Sequence, residues 1–210
     1  MLLHHLTVMN YRNLQMADLQ FSPNVNCLVG SNGVGKSNVL DAVYFLSFCR
    51  GFSSVQDSLN LRHGADFFML DGEYVKDGGS ELHVVCSLKK GGRKRLKIDD
   101  KDVKRISEHV GHIPLVMIAP ADSELVTGGS EARRHFMDTV LMQLDAPYLN
   151  ALIRYDQALK QRNALLKQEE EPDWRLMDVL EDMMGMCGEL IYSCRKMFVD
   201  EFTPMFDALY

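Results

Sequence analysis

The sequence predicts a mixed α/β lobe followed by an α-helical lobe. Three observations carry this reading. Short apolar runs, several with strand alternation and set off by glycine or proline turns, fill the first part of the chain. A single helix with a broad apolar face interrupts them at Lys36–Cys49. From Ser130 onward strand signals fade and helical spacing takes over. The expected lobes are therefore residues 1–129 and 130–210.

Each element follows from its local pattern. Leu2 to Val8 and Ala17 to Phe21 are short strand candidates. Val25–Val29 follows Pro23 and stops at Gly30, which predicts a buried strand. In the helix after Gly35, Val39, Leu40, Val43, Phe45, Leu46 and Phe48 form the apolar face, and Gly51 is its expected end. Phe67 to Tyr74 reads as a strand. Leu82, Val84, Cys86 and Leu88 alternate strictly, Gly91-Gly92 turns the chain, and Arg95 to Ile98 runs back as a hairpin. Ile113 to Ala119 is a continuous apolar run bounded by Pro120, expected to be a central strand.

Three helices are expected in the second lobe. The first opens at Ser130 or Glu131 and runs to about Leu144. Asp145 and Pro147 start the next, which runs to about Gln168. Glu169–Pro172 is a solvated break. Asp173 caps the third, with Leu176, Leu180, Met183, Cys187, Leu190, Ile191, Cys194 and Phe198 on its apolar side.

Composition narrows the function classes. The chain has 210 residues, 46% hydrophobic and 25% charged, which excludes wholesale disorder and low-complexity architectures. No apolar run approaches the roughly 18 residues of a membrane span. The N-terminus has no basic region ahead of a long apolar core, so no secretory signal is expected. Five cysteines, an odd number without Cys-x-x-Cys spacing, fit free thiols in a reducing cytoplasm better than a disulfide scaffold or a zinc site.

The net charge of −6 argues against a uniformly basic nucleic-acid binder, yet it hides an asymmetry. Lys89 to Arg105 holds nine Lys and Arg against three Asp, a local +6 that leaves the rest of the chain at −12. Lys89, Lys90, Arg93, Lys94, Arg95 and Lys97 cluster on the expected hairpin. Alternation sends Leu96 and Ile98 inward and Arg95 and Lys97 outward. Such a ribbon suits phosphate contact without base readout, because it has little aromatic interleaving. The competing reading is a solvated hairpin that keeps an acidic protein soluble.

The strongest chemistry is Gly30-Ser31-Asn32-Gly33-Val34-Gly35-Lys36-Ser37, which satisfies G-x-x-x-x-G-K-[ST]. The three glycines allow a sharp turn that brings backbone N–H groups to phosphate oxygens. Lys36 is the expected contact to the β/γ-phosphates, and the Ser37 hydroxyl the expected Mg²⁺ ligand. The motif lies between an expected strand and an expected helix, as its mechanism requires. It predicts ATP and Mg²⁺ as cofactors. It does not by itself separate a repair ATPase from a P-loop small-molecule kinase or a non-catalytic ATP-switched interaction module.

The surrounding blocks point further. They are Tyr11-Arg12-Asn13-Leu14; Asn24 through the phosphate loop to Asp41-Ala42; Pro120-Ala121-Asp122 through Gly128-Gly129-Ser130; Arg133-Arg134-His135-Phe136-Met137-Asp138; and Tyr155 through Gln161-Arg162-Asn163-Ala164-Leu165-Leu166. In this order they closely resemble the RecF family of bacterial DNA repair and replication proteins, over essentially the whole chain. The resemblance implies a head of the ABC ATPase class, similar to those of SMC proteins. It also implies ATP-dependent DNA binding at single-strand gaps, a homodimer formed around ATP, and action with RecO and RecR to place RecA and support the SOS response.

Carried over residue by residue, Arg12 and Asn13 match the position near the nucleotide base and sugar; the alternative is a surface turn. Asp122 matches the loop that senses γ-phosphate and Mg²⁺; the alternative is a turn acid after Pro120. Arg133 and Arg134 contact nucleotide or DNA, or are ion-paired between the lobes. Ala121 replaces a usual acid, and Ser53 stands where many relatives have arginine. No ABC signature and no apolar run ending in Asp-Asp or Asp-Glu is visible. The chain is therefore expected to be an N-terminal portion that binds nucleotide without hydrolysing it.

Overall fold

The computed structural model describes residues 1–52, 56–169 and 171–209. The chain divides into two compact units, Met1–Met117 and Ile118–Tyr210. The division falls upstream of Ser130, so the short turns after Pro120 belong to the helical unit.

Among the described residues, the first unit is a six-stranded sheet with one α-helix packed on one face. The strands are β1 (Leu2–Tyr11), β2 (Leu14–Gln20), β3 (Phe67–Val75), β4 (Glu81–Lys89), β5 (Arg95–Ile98) and β6 (Lys101–Asp102). Their order is β2-β1-β3-β4-β5-β6, and every pairing is antiparallel. Helix α1 (Lys36–Phe48) follows the glycine-rich loop.

Alternation decides which side chains meet α1. Leu6, Val8, Phe68, Leu70, Leu82, Val84, Cys86, Leu88 and Leu96 are buried together with Ala42, Phe45 and Leu46 of the helix. Tyr11, Phe45 and Phe68 meet edge to face, with ring centroids 5.3–5.8 Å apart. Fully burying one such apolar side chain contributes roughly 1.5–3 kcal/mol. The helix ends at Cys49 rather than at Gly51. Cys49 takes a left-handed conformation, φ 52°, and its N–H bonds the Phe45 carbonyl at 2.7 Å.

The strand expectations for Leu2–Val8, Ala17–Phe21, Phe67–Tyr74, Glu81–Leu88 and Arg95–Ile98 hold within a few residues. Two others do not. Val25–Val29 and Ile113–Ala119 form no strand. Val29 is 91% exposed and Val116 86% exposed. A strand needs a ladder for its N–H and C=O groups, and neither run meets one among the described residues. Ile113 is the buried exception, and its carbonyl accepts from the Ser47 hydroxyl at 2.5 Å. The Asp99-Asp100 turn joining β5 to β6 went unpredicted. Both residues have positive φ, the geometry of a type I′ hairpin.

The second unit is helical: α2 (Glu124–Thr127), α3 (Ser130–Leu144), α4 (Ala146–Leu165) and α5 (Trp174–Leu209). Asp145 caps α4 by accepting from the Tyr148 N–H, and Asp173 accepts from the Arg175 and Leu176 N–H groups. Met177, Leu180, Cys187 and Ile191 are buried on α5, while Leu176 and Leu190 lie at the exposed rim of that face. Arg195 of α5 grips Asp138 of α3 through two bonds of 2.9 Å, and the Tyr148 hydroxyl of α4 donates to the same carboxylate. No described helix is long and apolar enough to cross a membrane.

Candidate nucleotide site

The phosphate loop is built on positive φ. Gly30, Gly33 and Gly35 have φ of 152°, 85° and 109°. At Gly35 the requirement is also spatial, since a Cβ there would lie 2.6 Å from the Leu14 side chain and 2.8 Å from Asn13 Oδ1. The loop therefore rests directly on the β1–β2 turn.

Helix α1 begins at the end of this loop without a side-chain cap and without an acid in its first turn. The Asn38 N–H bonds the Gly35 carbonyl at 2.9 Å, which leaves the Lys36 and Ser37 N–H groups and the helix dipole to an anion. The Lys36 ammonium folds back over the loop and donates to the Gly30 and Ser31 carbonyls, each at 2.8 Å. Ser31, Asn32, Gly33 and Val34 are exposed along the loop. Ser37, the second residue of the helix, is exposed beside Lys36. Residues 30–37 thus present N–H donors, one cation and two hydroxyls, a donor set that fits a polyphosphate and its metal.

Arg12 and Asn13 stand in the two-residue turn between β1 and β2, and they face different ways. The Arg12 guanidinium bonds the buried Asp41 carboxylate at 2.9 Å and Asn60 Oδ1 at 3.2 Å. Asn13 faces the loop. Its amide donates to the Gly33 carbonyl at 2.7 Å, and its Oδ1 accepts from Asn38 Nδ2 at 2.6 Å. Sequence reasoning missed Asp41, Asn38 and Asn60. An aspartate among Leu40, Ala42 and Val43 on a buried helix was a visible signal for Asp41; Asn60 had none.

Asp122, Arg133 and Arg134 each bond within the helical unit. Asp122 closes its own turn, Oδ2 accepting from the Ala119 N–H at 2.7 Å. Arg133 donates to the Leu125 and Gly128 carbonyls and so caps α2, while Arg134 bonds Ser130 Oγ at 2.8 Å. Ser53 lies outside the described residues.

The basic hairpin splits. Lys89, Lys90, Arg93, Arg95 and Lys97 are exposed, with Leu96 buried beneath them. Lys94 turns inward instead, to Asp57 at 2.7 Å, to the Cys49 carbonyl, and over the Phe45 ring.

Residues 2–121 match the family described as the RecF/RecN/SMC N terminal domain. The chain belongs to that family. Among its relatives, the DNA replication and repair protein RecF of Phocaeicola vulgatus is 50% identical over 210 residues, and that of Bacteroides fragilis 47%. These matches cover all of this chain and 57% of each relative, so the chain spans little more than half their length. A solved structure of the recombination mediator protein RecF with ATP, in the RecFOR pathway, superposes with a TM-score of 0.87 at 29% identity. It covers 95% of this chain and 54% of that one. An SMC ATPase structure shares the fold, with a TM-score of 0.57 at 16% identity over 67% of this chain. The fold is thus the N-terminal part of the RecF and SMC type of P-loop ATPase head.

Proposed function

We propose that this chain is the nucleotide-binding portion of an ATP-dependent DNA-binding protein of recombinational repair and replication-fork maintenance. The observation that carries the reading is the phosphate loop, with its three positive-φ glycines leading into the uncapped N-terminus of α1. The relatives named DNA replication and repair protein and the ATP-bound structural neighbour support it.

In this reading the N–H groups of residues 30–37 cradle the ATP phosphates. The Lys36 ammonium leaves the Gly30 and Ser31 carbonyls for β/γ-phosphate oxygens, exchanging neutral acceptors for charged ones. Ser37 holds Mg²⁺, which when bound neutralises phosphate charge. Arg12 stays on Asp41 and stiffens the turn beneath the site. Lys89, Lys90, Arg93, Arg95 and Lys97 meet DNA phosphates, with Lys94 holding the hairpin from below. Action at single-strand gaps with RecO and RecR to place RecA, the SOS role, ATP-dependent dimerisation and a cytoplasmic location come from the family resemblance and complete the proposal.

An MgATP titration of the chain beside Lys36→Ala tests it. Saturable binding in the parent, weakened at least tenfold in the variant, is expected, from the loss of a charge-assisted bond of about 1.5–3 kcal/mol. Equal affinities would overturn the nucleotide reading.

A further inference from the structure

We infer that Asn13 and Asn38 form a two-residue clamp that sets the orientation of the phosphate loop, so both are positioning residues for the nucleotide. The inference rests on the nucleotide reading above. Neither asparagine needs to touch the ligand, because the clamp acts on how the loop is held.

The geometry is a relay of two bonds. Asn38 Nδ2 donates to Asn13 Oδ1 at 2.6 Å, and Asn13 Nδ2 donates to the Gly33 carbonyl at 2.7 Å. The first bond fixes which way the Asn13 amide faces. With its oxygen turned to Asn38, its nitrogen faces the loop, where it can donate to a carbonyl. The second bond turns the Gly33 carbonyl toward the β1–β2 turn. A trans peptide is planar, so the Val34 N–H must point the opposite way, across the loop. The clamp therefore aims a phosphate donor without touching phosphate.

Two further facts make the clamp specific. Gly33 has φ 85° and no Cβ, so side-chain sterics do little to fix the peptide that follows. A Cβ on Gly35 would sit 2.8 Å from Asn13 Oδ1, so the asparagine is seated against the loop at two of its glycines. Asn13 is itself exposed and Asn38 half-buried, so neither is a core residue whose loss would unfold the unit.

The test uses Asn38→Leu, close in shape, uncharged and with no donor for Asn13 Oδ1, together with Asn13→Ala and the double variant. Thermal unfolding first checks that each is folded. Amide hydrogen exchange on the nucleotide-free chain should be severalfold faster across residues 30–36 in Asn38→Leu, and unchanged across β3 and β4. Unchanged exchange at the loop overturns the clamp whether or not nucleotide binds. In MgATP titrations Asn38→Leu should weaken binding by about tenfold, the scale of one hydrogen bond. It should add nothing in the Asn13→Ala background, because the relay is already broken. Additive losses would mean two independent interactions and would also overturn it. A parent chain that fails to bind MgATP sinks the nucleotide reading alone, and the exchange experiment still decides the clamp.

Discussion

The Arg12 guanidinium lies 2.9 Å from the Asp41 carboxylate, an ion pair between the β1–β2 turn and the middle of helix α1. Asp41 is only 3% exposed and also accepts from the Phe52 N–H at 2.7 Å and from the Tyr11 hydroxyl. Burial first, and the Asp41 carboxylate second, push the Tyr11 hydroxyl far up, so it stays a donor. One carboxylate therefore ties strand, helix and the chain after the helix into a single support beneath the phosphate loop.

Removing that carboxylate strands several donors at once. Asp41→Ala should cost roughly 3–5 kcal/mol, because it leaves a partly buried cation and two donors without their acceptor. Arg12→Ala should cost less, about 1–2 kcal/mol, because Asp41 keeps its other two bonds. Urea unfolding of both variants checks the order. Equal costs would mean that Arg12 alone gives the carboxylate its value.

The glycines of the loop are not equivalent. Gly33→Ala meets no atom within 4 Å and should cost only the left-handed backbone penalty, about 1–2 kcal/mol. Gly35→Ala adds a collision with Leu14 at 2.6 Å and should cost more. Unfolding free energies and MgATP affinities of the pair should fall in that order.

His109 makes stability depend on pH. Its ring is fully buried, Nε2 donating to the Leu46 carbonyl at 2.7 Å, with the His112 ring stacked 6.1 Å away. Burial lowers its pKa; the bond to the Leu46 carbonyl opposes this in part, and the neighbouring His112 adds to the lowering. The unfolded chain therefore takes up the proton first as pH falls below about 6.5, and stability declines from there down to the lowered folded value. His109→Gln, which keeps a donor for Leu46, should flatten this decline. Urea midpoints measured on both sides of that window, with the same slope in parent and variant, would assign the decline to other groups.

In the helical unit, Asp138 is shared by Arg195 and Tyr148. Asp138→Ala should lower the unfolding free energy by roughly 3 kcal/mol, since Arg195 is left partly buried and unpaired. Tyr148→Phe keeps the ion pair and should cost about 1 kcal/mol. Thermal melts of the two variants distinguish a three-helix latch from simple packing.

The exposed side of the basic hairpin predicts a salt signature. Reversing Arg93 and Arg95 to glutamate should reduce the slope of log affinity for DNA against log salt by about 0.7–0.9 for each phosphate no longer neutralised. Lys94→Ala should instead lower stability, because Lys94 is bound to Asp57 at 2.7 Å. An unchanged slope in the double reversal would leave the ribbon as a solubilising surface.

Much of this was legible in sequence because it is local. Gly30–Ser37 names its own chemistry, and strict alternation at Leu82–Leu88 places four side chains inward whatever surrounds them. The acids before the second and third long helices announce their caps, Asp145 and Asp173, through the backbone geometry of a few neighbouring residues. The change in period near Ser130 marks where the long helices start, while the division into two units lies upstream, after Met117.

What only the tertiary structure decided depends on partners distant in the chain. Val25–Val29 and Ile113–Ala119 have strand composition, but a strand exists only where another backbone offers a ladder, and periodicity says nothing of that neighbour. Lys94 and Lys97 look alike in a run of basic residues, yet Asp57 draws one inward while the pleat turns the other out. Asn13 and Asn38 are separated by 25 residues, and Arg12 and Asp41 by 29. Their pairing arises only because β1, its turn and α1 pack on one another. Hydrogen bonds and ion pairs act over a few ångströms, so side chains remote in sequence acquire their roles only when the fold brings them together.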